Sequence, residues 1–245
     1  MYSNVPKIMK RLILLLLFVE FLCLGVFAQT KSEKYLEDKA SWYVGMNFGN
    51  AIGGYKQILK DGNLGGTKAG FVLGGLFNPY GRKRASTVFY GAEVGYQSIG
   101  RDKDFVSNAS GTFYVTNNSF WLNGVARYRP ILWSSKLNPY ADAFFGAKII
   151  RTAIVEQLSQ DESEVLESVN KIVPNYGLGV GVGFKLMGQL KNAYLDLGIY
   201  LQQADPTKIV KPKTIEISST YNTSYKQVLT NTNQIAIRLT LTGFD

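Results

Sequence analysis

The chain has 245 residues, of which 46% are hydrophobic, 13% aromatic and only 18% charged, with 25 glycines. This balance excludes a disordered chain, a collagen and a bundle of membrane-spanning helices, and it fits a protein rich in strands. A formal charge of +9 would ordinarily raise nucleic acid as a partner, but the export signal at the N-terminus favours an anionic lipid or glycolipid surface instead.

Residues 1–28 read as a cleavable signal peptide. Lys7, Lys10 and Arg11 form a positive start, Leu12 to Phe27 an apolar run broken only by Glu20, and Val26-Phe27-Ala28 a cleavage site before Gln29. The run is short for a stable span and gives way to the polar stretch Gln29 to Lys39, which argues against an uncleaved anchor. Leu22 precedes Cys23 where a lipoprotein needs a small residue. Cleavage removes three basic residues and one acidic, leaving a net +7, and takes with it the single cysteine. Histidine is absent altogether. Imidazole bases, thiolate nucleophiles, disulfides and cysteine-held zinc are therefore excluded from the exported chain. The expected order is signal peptide 1–28, a short periplasmic segment 29–40 and a barrel domain 41–245.

From Ser41 onward, segments of about ten residues alternate between two faces, as strands with unlike sides do. The first, Ser41 to Asn50, sets Trp42, Val44, Met46 and Phe48 against Tyr43, Gly45, Asn47 and Gly49. The second, Thr67 to Phe77, sets Ala69, Phe71 and Leu73 against Lys68, Gly70 and Val72. The third, Thr87 to Ile99, opposes Tyr90, Ala92, Val94 and Tyr96 to Gly91, Glu93, Gly95 and Gln97. The fourth, Ser119 to Arg129, opposes Phe120, Leu122, Ala126 and Tyr128 to Asn123, Arg127 and Arg129. In the fifth, Pro139 to Arg151, Ala141, Ala143, Phe145, Ala147 and Ile149 oppose Asp142 and Lys148. In the sixth, Asn175 to Leu186, Leu178, Val180, Val182 and Phe184 oppose four glycines and Lys185. The seventh, Asn192 to Gln202, and the eighth, Asn233 to Phe244, set leucines and isoleucines against Asp196 and Arg238 respectively.

The charges tell the two faces apart. Lys68, Glu93, Arg127, Arg129, Asp142, Lys148, Lys185, Asp196 and Arg238 all share one parity of their strands, and the opposite parity is apolar. A soluble sandwich would also alternate. Three features favour a membrane barrel. The segments match the roughly 9–11 residues that cross a bilayer at a tilt. Trp42, Tyr80, Tyr96, Trp121, Tyr128, Trp133, Tyr140, Tyr176 and Tyr194 gather near strand ends, as an interfacial girdle does. The links 51–66, 100–118, 152–174 and 203–232 are long, whereas 78–86, 130–138 and 187–191 are short. The expected fold is all-β: an eight-stranded antiparallel up-and-down transmembrane β-barrel, long loops outside, both termini in the periplasm, and no open edge in lipid.

The nine inward charges are the candidate site. In so narrow a lumen they fit two readings. One is a salt-bridge network that fills the barrel. The other is a narrow anion-biased pore, because bases outnumber acids six to three. Gly177, Gly179, Gly181 and Gly183 either make room for large inward side chains such as Arg127, Arg129 or Tyr140, or bend the sheet. In the third link, Glu156, Asp161, Glu162, Glu164 and Glu167 read as solvated charge or a weak calcium site, and Val165, Leu166 and Val169 as a short amphipathic helix. In the fourth, Tyr221 and Tyr225 stand among Lys208, Lys211, Lys213 and Lys226, a surface suited to a glycan or a protein. No catalytic residue, cofactor or metal set emerges, and a non-enzymatic role is expected.

Several short stretches carry a resemblance. They are Val26-Phe27-Ala28-Gln29, Phe89 to Tyr96, Val125 to Pro130, Pro139-Tyr140-Ala141, Tyr176 to Phe184 and Ile235 to Phe244. With them the chain resembles the small outer-membrane β-barrel proteins of Bacteroidetes-type bacteria, of the PorT-like and OmpA-like kind. The resemblance implies contact with outer-membrane lipid and lipopolysaccharide, delivery by the outer-membrane insertion machinery, and a structural, adhesive or secretion-associated role. One departure is that Phe244 is penultimate and Asp245 last, where such barrels end on an aromatic residue. The leading expectation is anchoring or surface binding through the external loops. A narrow solute or ion channel and a component of a secretion or envelope-assembly machine are the alternatives.

Overall fold

The computed structural model describes residues 40–81, 86–103, 106–130, 137–159, 162–186 and 193–244. The signal-peptide reading, Trp133, Asp161 and Asp245 lie outside these residues. In chain order the elements are β1 (Ala40–Ala51), α1 (Gly53–Asp61), β2 (Lys68–Phe77), β3 (Val88–Asp102), β4 (Val106–Ser107), β5 (Thr112–Tyr128) and β6 (Leu137–Gln157). They continue as β7 (Ser163–Lys185), β8 (Ala193–Ala204), β9 (Pro206–Val210), β10 (Glu216–Ile217), β11 (Thr223–Ser224), β12 (Gln227–Asn231) and β13 (Gln234–Phe244).

Eight strands close a barrel in the order β1-β13-β8-β7-β6-β5-β3-β2. Every pair is antiparallel, and β13 returns to β1 to seal the sheet, with Ser41 opposite Phe244 and Ala51 opposite Gln234. Closure satisfies the backbone of all eight strands with no edge left over.

The distribution of side chains is inside-out. Phe145 is 68% exposed and Leu122 59%, whereas Arg127 and Glu93 are 1% and 2% exposed. Trp42, Val44, Met46, Phe71, Leu73, Val94, Leu178, Val180, Leu197, Ile199, Ile237 and Leu239 continue the outer belt. In water such a surface would be a large exposed apolar patch. In lipid it is the face a transmembrane barrel presents.

The strands come close where inward positions carry glycine. A Cβ on Gly91 would sit 1.7 Å from the carbonyl oxygen of Gly75 on the neighbouring strand, so no larger residue fits without moving the backbone. Gly91 thus serves the tight curvature of a small barrel.

Three parts differ from the reading of the sequence. The links 100–118 and 152–174 are mostly strand. The β5–β6 ladder runs to Thr112 opposite Gln157, and the β6–β7 ladder to Gln157 opposite Ser163. Val165, Leu166 and Val169 therefore lie in β7, not in a helix. The one helix among the described residues, α1, stands in the first link instead. Its residues Tyr55 and Leu59 pack with Leu64, Ile99, Ile150, Val173, Ala204 and Ile209 across the mouth of the barrel. Gly62 ends it, its N–H donating to the carbonyl of Ile58 at 3.2 Å.

The fourth link is folded too. β9 pairs with β12, and β10 lies between β11 and β4. A second apolar cluster of Phe113, Val115, Ile154, Val210, Ile215 and Ile217 joins these pieces to the overhanging ends of β5 and β6. Tyr225 Oη donates to Glu167 Oε1 at 3.0 Å and Tyr221 Oη to the carbonyl of Ser110 at 2.9 Å. The loop end of the barrel thus carries an ordered cap with its own small core.

Candidate functional site: a charged lumen beneath a folded cap

Strict alternation on eight strands delivers polar side chains to the interior, and two ion-pair clusters organise its middle. In the first, Arg238 of β13 reaches across to Glu93 of β3, with Nη1 to Oε2 at 2.7 Å and Nη2 to Oε1 at 3.1 Å. Glu93 also accepts from Tyr43 Oη at 3.1 Å, Trp121 Nε1 at 3.1 Å and Asn123 Nδ2 at 2.9 Å. Arg238 Nε donates to Asn47 Oδ1 at 3.2 Å. Both carboxylate oxygens are saturated, which a buried charge requires.

In the second cluster, Arg127 of β5 grips Asp142 of β6 with both arms, Nε to Oδ1 at 2.7 Å and Nη2 to Oδ2 at 2.8 Å. Its Nη1 lies 3.5 Å from Asp196 Oδ2 on β8, and Thr242 Oγ1 donates to that oxygen at 2.6 Å. Tyr200 ties the clusters together. Its hydroxyl donates to Asp142 Oδ2 at 2.8 Å, and the Arg238 guanidinium lies 4.0 Å from its ring centroid. The Arg127 guanidinium stacks at the same 4.0 Å over Tyr140, a cation–π contact strengthened by exclusion of water.

The inward glycines make this packing possible. A Cβ at Gly179 would meet the Tyr200 ring at 2.3 Å, and one at Gly181 would meet Tyr140 Cζ at 2.4 Å. The space they leave is occupied by aromatic rings.

Of the nine inward charges, Glu93, Arg127, Asp142, Asp196 and Arg238 come together in these clusters. Arg129 is buried just past the end of β5, its guanidinium 5.5 Å from the Phe89 ring. Lys185 is half-buried at the far end of β7, opposite Tyr194. Lys68 and Lys148 stand apart at the loop end. Lys148 is 2% exposed and donates to the carbonyl of Thr232 at 3.1 Å. Among the described residues no carboxylate lies within ion-pair distance of either lysine.

The aromatic girdle needs correction. Trp42, Tyr80, Tyr96, Tyr128 and Tyr176 are exposed or half-buried, but Trp121, Tyr140 and Tyr194 are buried inside the barrel. Parity carried the signal: Trp121 is in step with Asn123 and Arg127, and Tyr140 with Asp142. Among the partners, Tyr43, Asn47 and Asn123 stand on the charged face in the reading of the sequence without an assigned role, and Tyr200 and Thr242 are not named there although both have inward parity.

The arrangement spends its charges on one another. Its three carboxylates are engaged by arginines and hydroxyls, and no described group of three or more acidic side chains could hold a metal ion. Burial pushes the Tyr55 phenol in α1 above its ordinary value, so it remains a neutral hydroxyl at the mouth.

No protein-family model matches the chain, and no curated protein matches it. Among solved structures, a major outer membrane protein of Thermus thermophilus is 12% identical, with a TM-score of 0.47 over 84% of this chain and 99% of that one. Ail of Yersinia pestis, solved with a heparin analogue, is 10% identical, with a TM-score of 0.40 over 84% of this chain and 97% of that one. The N-terminal barrel domain of Pseudomonas aeruginosa OprF is 12% identical, with a TM-score of 0.35 over 85% and 99%. At these scores the likenesses carry nothing about ligand or partner, and the assignment as a closed eight-stranded transmembrane barrel rests on the chain's own strand pairing and inverted side-chain distribution.

Proposed function

We propose that this chain is a closed, non-enzymatic barrel of a bacterial outer membrane, and that its work is done by the folded cap at the loop end. The observation that carries this reading is the contrast between a lumen crossed by saturated ion pairs and rings and a loop end built as an ordered structure. A conducting pore needs an open polar path. Here Arg127, Arg238, Tyr140, Tyr200 and Trp121 occupy the middle of the lumen, and α1 covers the mouth. Long loops that fold on their own core serve as binding surfaces more readily than as floppy connections. In this reading the termini lie in the periplasm and the cap faces outward. Lipid and lipopolysaccharide surround the apolar belt, the insertion machinery delivers the chain, and Lys208, Lys211, Lys213 and Lys226 of the cap meet an envelope protein or glycan.

The test pairs two measurements. The protein reconstituted in a planar bilayer is expected to insert and stay electrically silent; stable single-channel steps would turn the reading to a channel. Replacing 206–231 by a short Gly-Ser linker is expected to abolish surface binding or envelope phenotypes while leaving the barrel heat-modifiable on gels. Phenotypes untouched by that deletion would sink the role given to the cap.

A further inference from the structure

The mouth of the lumen, just beneath α1, has a chemistry unlike the rest. A cavity with room for about one water molecule is lined there by Gly49, Tyr55, Lys68, Gln97, Ser119 and Lys148, among others. Two of its lining groups are ammonium ions, and no described carboxylate pairs with either. Trp121, directly across the ladder from Lys148, spends its N–H on Glu93 and lies over Gly95. Glu93, the acid that Trp121 reaches, is already paired with Arg238.

Lys148 and Ser119 are 2% and 1% exposed. Lys148 has one protein acceptor, the carbonyl of Thr232, for three N–H groups. Ser119 Oγ has no hydrogen-bond partner among the described residues. Lys68 is half-buried at the rim. The cavity therefore gathers unbalanced positive charge, unspent N–H groups of Lys148, the unpartnered Ser119 hydroxyl and one unpartnered acceptor, Gln97 Oε1, in a place largely shielded from water. We propose that it binds a single small monovalent anion of halide size, chloride in the natural setting, held by Lys148, Ser119 and Lys68 under the lid of α1. The anion would supply the counter-charge that Glu93, Asp142 and Asp196 supply elsewhere. A doubly charged oxyanion such as sulfate is too large for the space.

The test measures thermal unfolding of the full purified protein in detergent at constant ionic strength, with sodium chloride, bromide, gluconate or sulfate. The midpoint is expected to rise by a few degrees with chloride and bromide over gluconate and sulfate, since a ligand that binds only the folded state stabilises it. Lys148→Met is expected to abolish the difference, and Ser119→Ala to reduce it. Crystals grown in bromide should carry an anomalous peak between Lys148 and Ser119. Equal midpoints in chloride and gluconate, or a water without anomalous signal at that point, would overturn the proposal. If Lys148→Met does not fold, an undiminished halide shift in Ser119→Ala overturns it as well.

Discussion

The middle of the lumen and its loop-end mouth are made from the same inward parity of the same strands, yet they bury charge in opposite ways. In the middle, Glu93 and Arg238, and Arg127 with Asp142 and Asp196, neutralise each other through direct bonds, and tyrosine and tryptophan rings fill the remaining space. At the mouth, Lys68 and Lys148 share a cavity with Tyr55 and Leu59 of the buried face of α1 and with the amides of Gln97 and Gln234, without a described carboxylate in the lining. The middle is self-sufficient, whereas the mouth is completed from outside the chain. A closed barrel can hold both, because the ion pairs keep the wall together while α1 and the cap screen the top.

Four predictions break or sharpen this contrast, three read as the urea midpoint of the protein folded in lipid vesicles and the one on the cap as proteolysis. The largest effect belongs to the paired middle. Arg238→Met strands Glu93 in the barrel and should cost about 3–5 kcal/mol. The double replacement of Arg238 and Glu93 by Met should recover much of that loss, and a double variant as weak as the single would argue that the pair is not the unit. Next is the space beside the arginines. Gly181→Val drives a side chain into the Tyr140 ring under Arg127, and overpacking of this kind costs about 1–3 kcal/mol.

The cap comes third. Tyr225→Phe removes one hydrogen bond to Glu167 and should cost about 1 kcal/mol, seen as faster proteolysis of 206–231 with the barrel intact. The mouth should be least sensitive. Lys148→Met in gluconate is expected to change stability by less than about 1 kcal/mol, because an apolar residue of similar size replaces a buried ammonium that has one carbonyl acceptor and no described carboxylate. A loss as large as that of Arg238→Met would erase the distinction between the two regions.

Much of the barrel is legible in the chain because a strand in lipid must repeat every two residues, and charge can lie on only one side. That rule places Arg127, Asp142 and Arg238 inside with no knowledge of their partners. It weakens beyond the bilayer. Where β5, β6 and β7 overhang, both faces meet protein or water and the contrast between parities fades. The ladder also shifts register between Ile154 and Val155, and residues 152–155 are buried in succession. A period-two reading stops there, which is why the third link was expected to be a loop. α1 has an apolar spacing of its own, with Tyr55, Ile58 and Leu59 at helical intervals, but a nine-residue helix offers too weak a signal to stand out among strands.

By itself the sequence determines the strand count, the up-and-down order, the apolar outer face and the set of inward charges, because these follow from local periodicity and the lengths of the links. Only the tertiary structure decides which charges meet. Arg238 and Glu93 are 145 residues apart and come together through ring closure and strand stagger, which no local pattern encodes. The same closure brings the first link over the mouth, folds the fourth against the overhanging strands, and leaves Lys148 in a cavity away from every described acid.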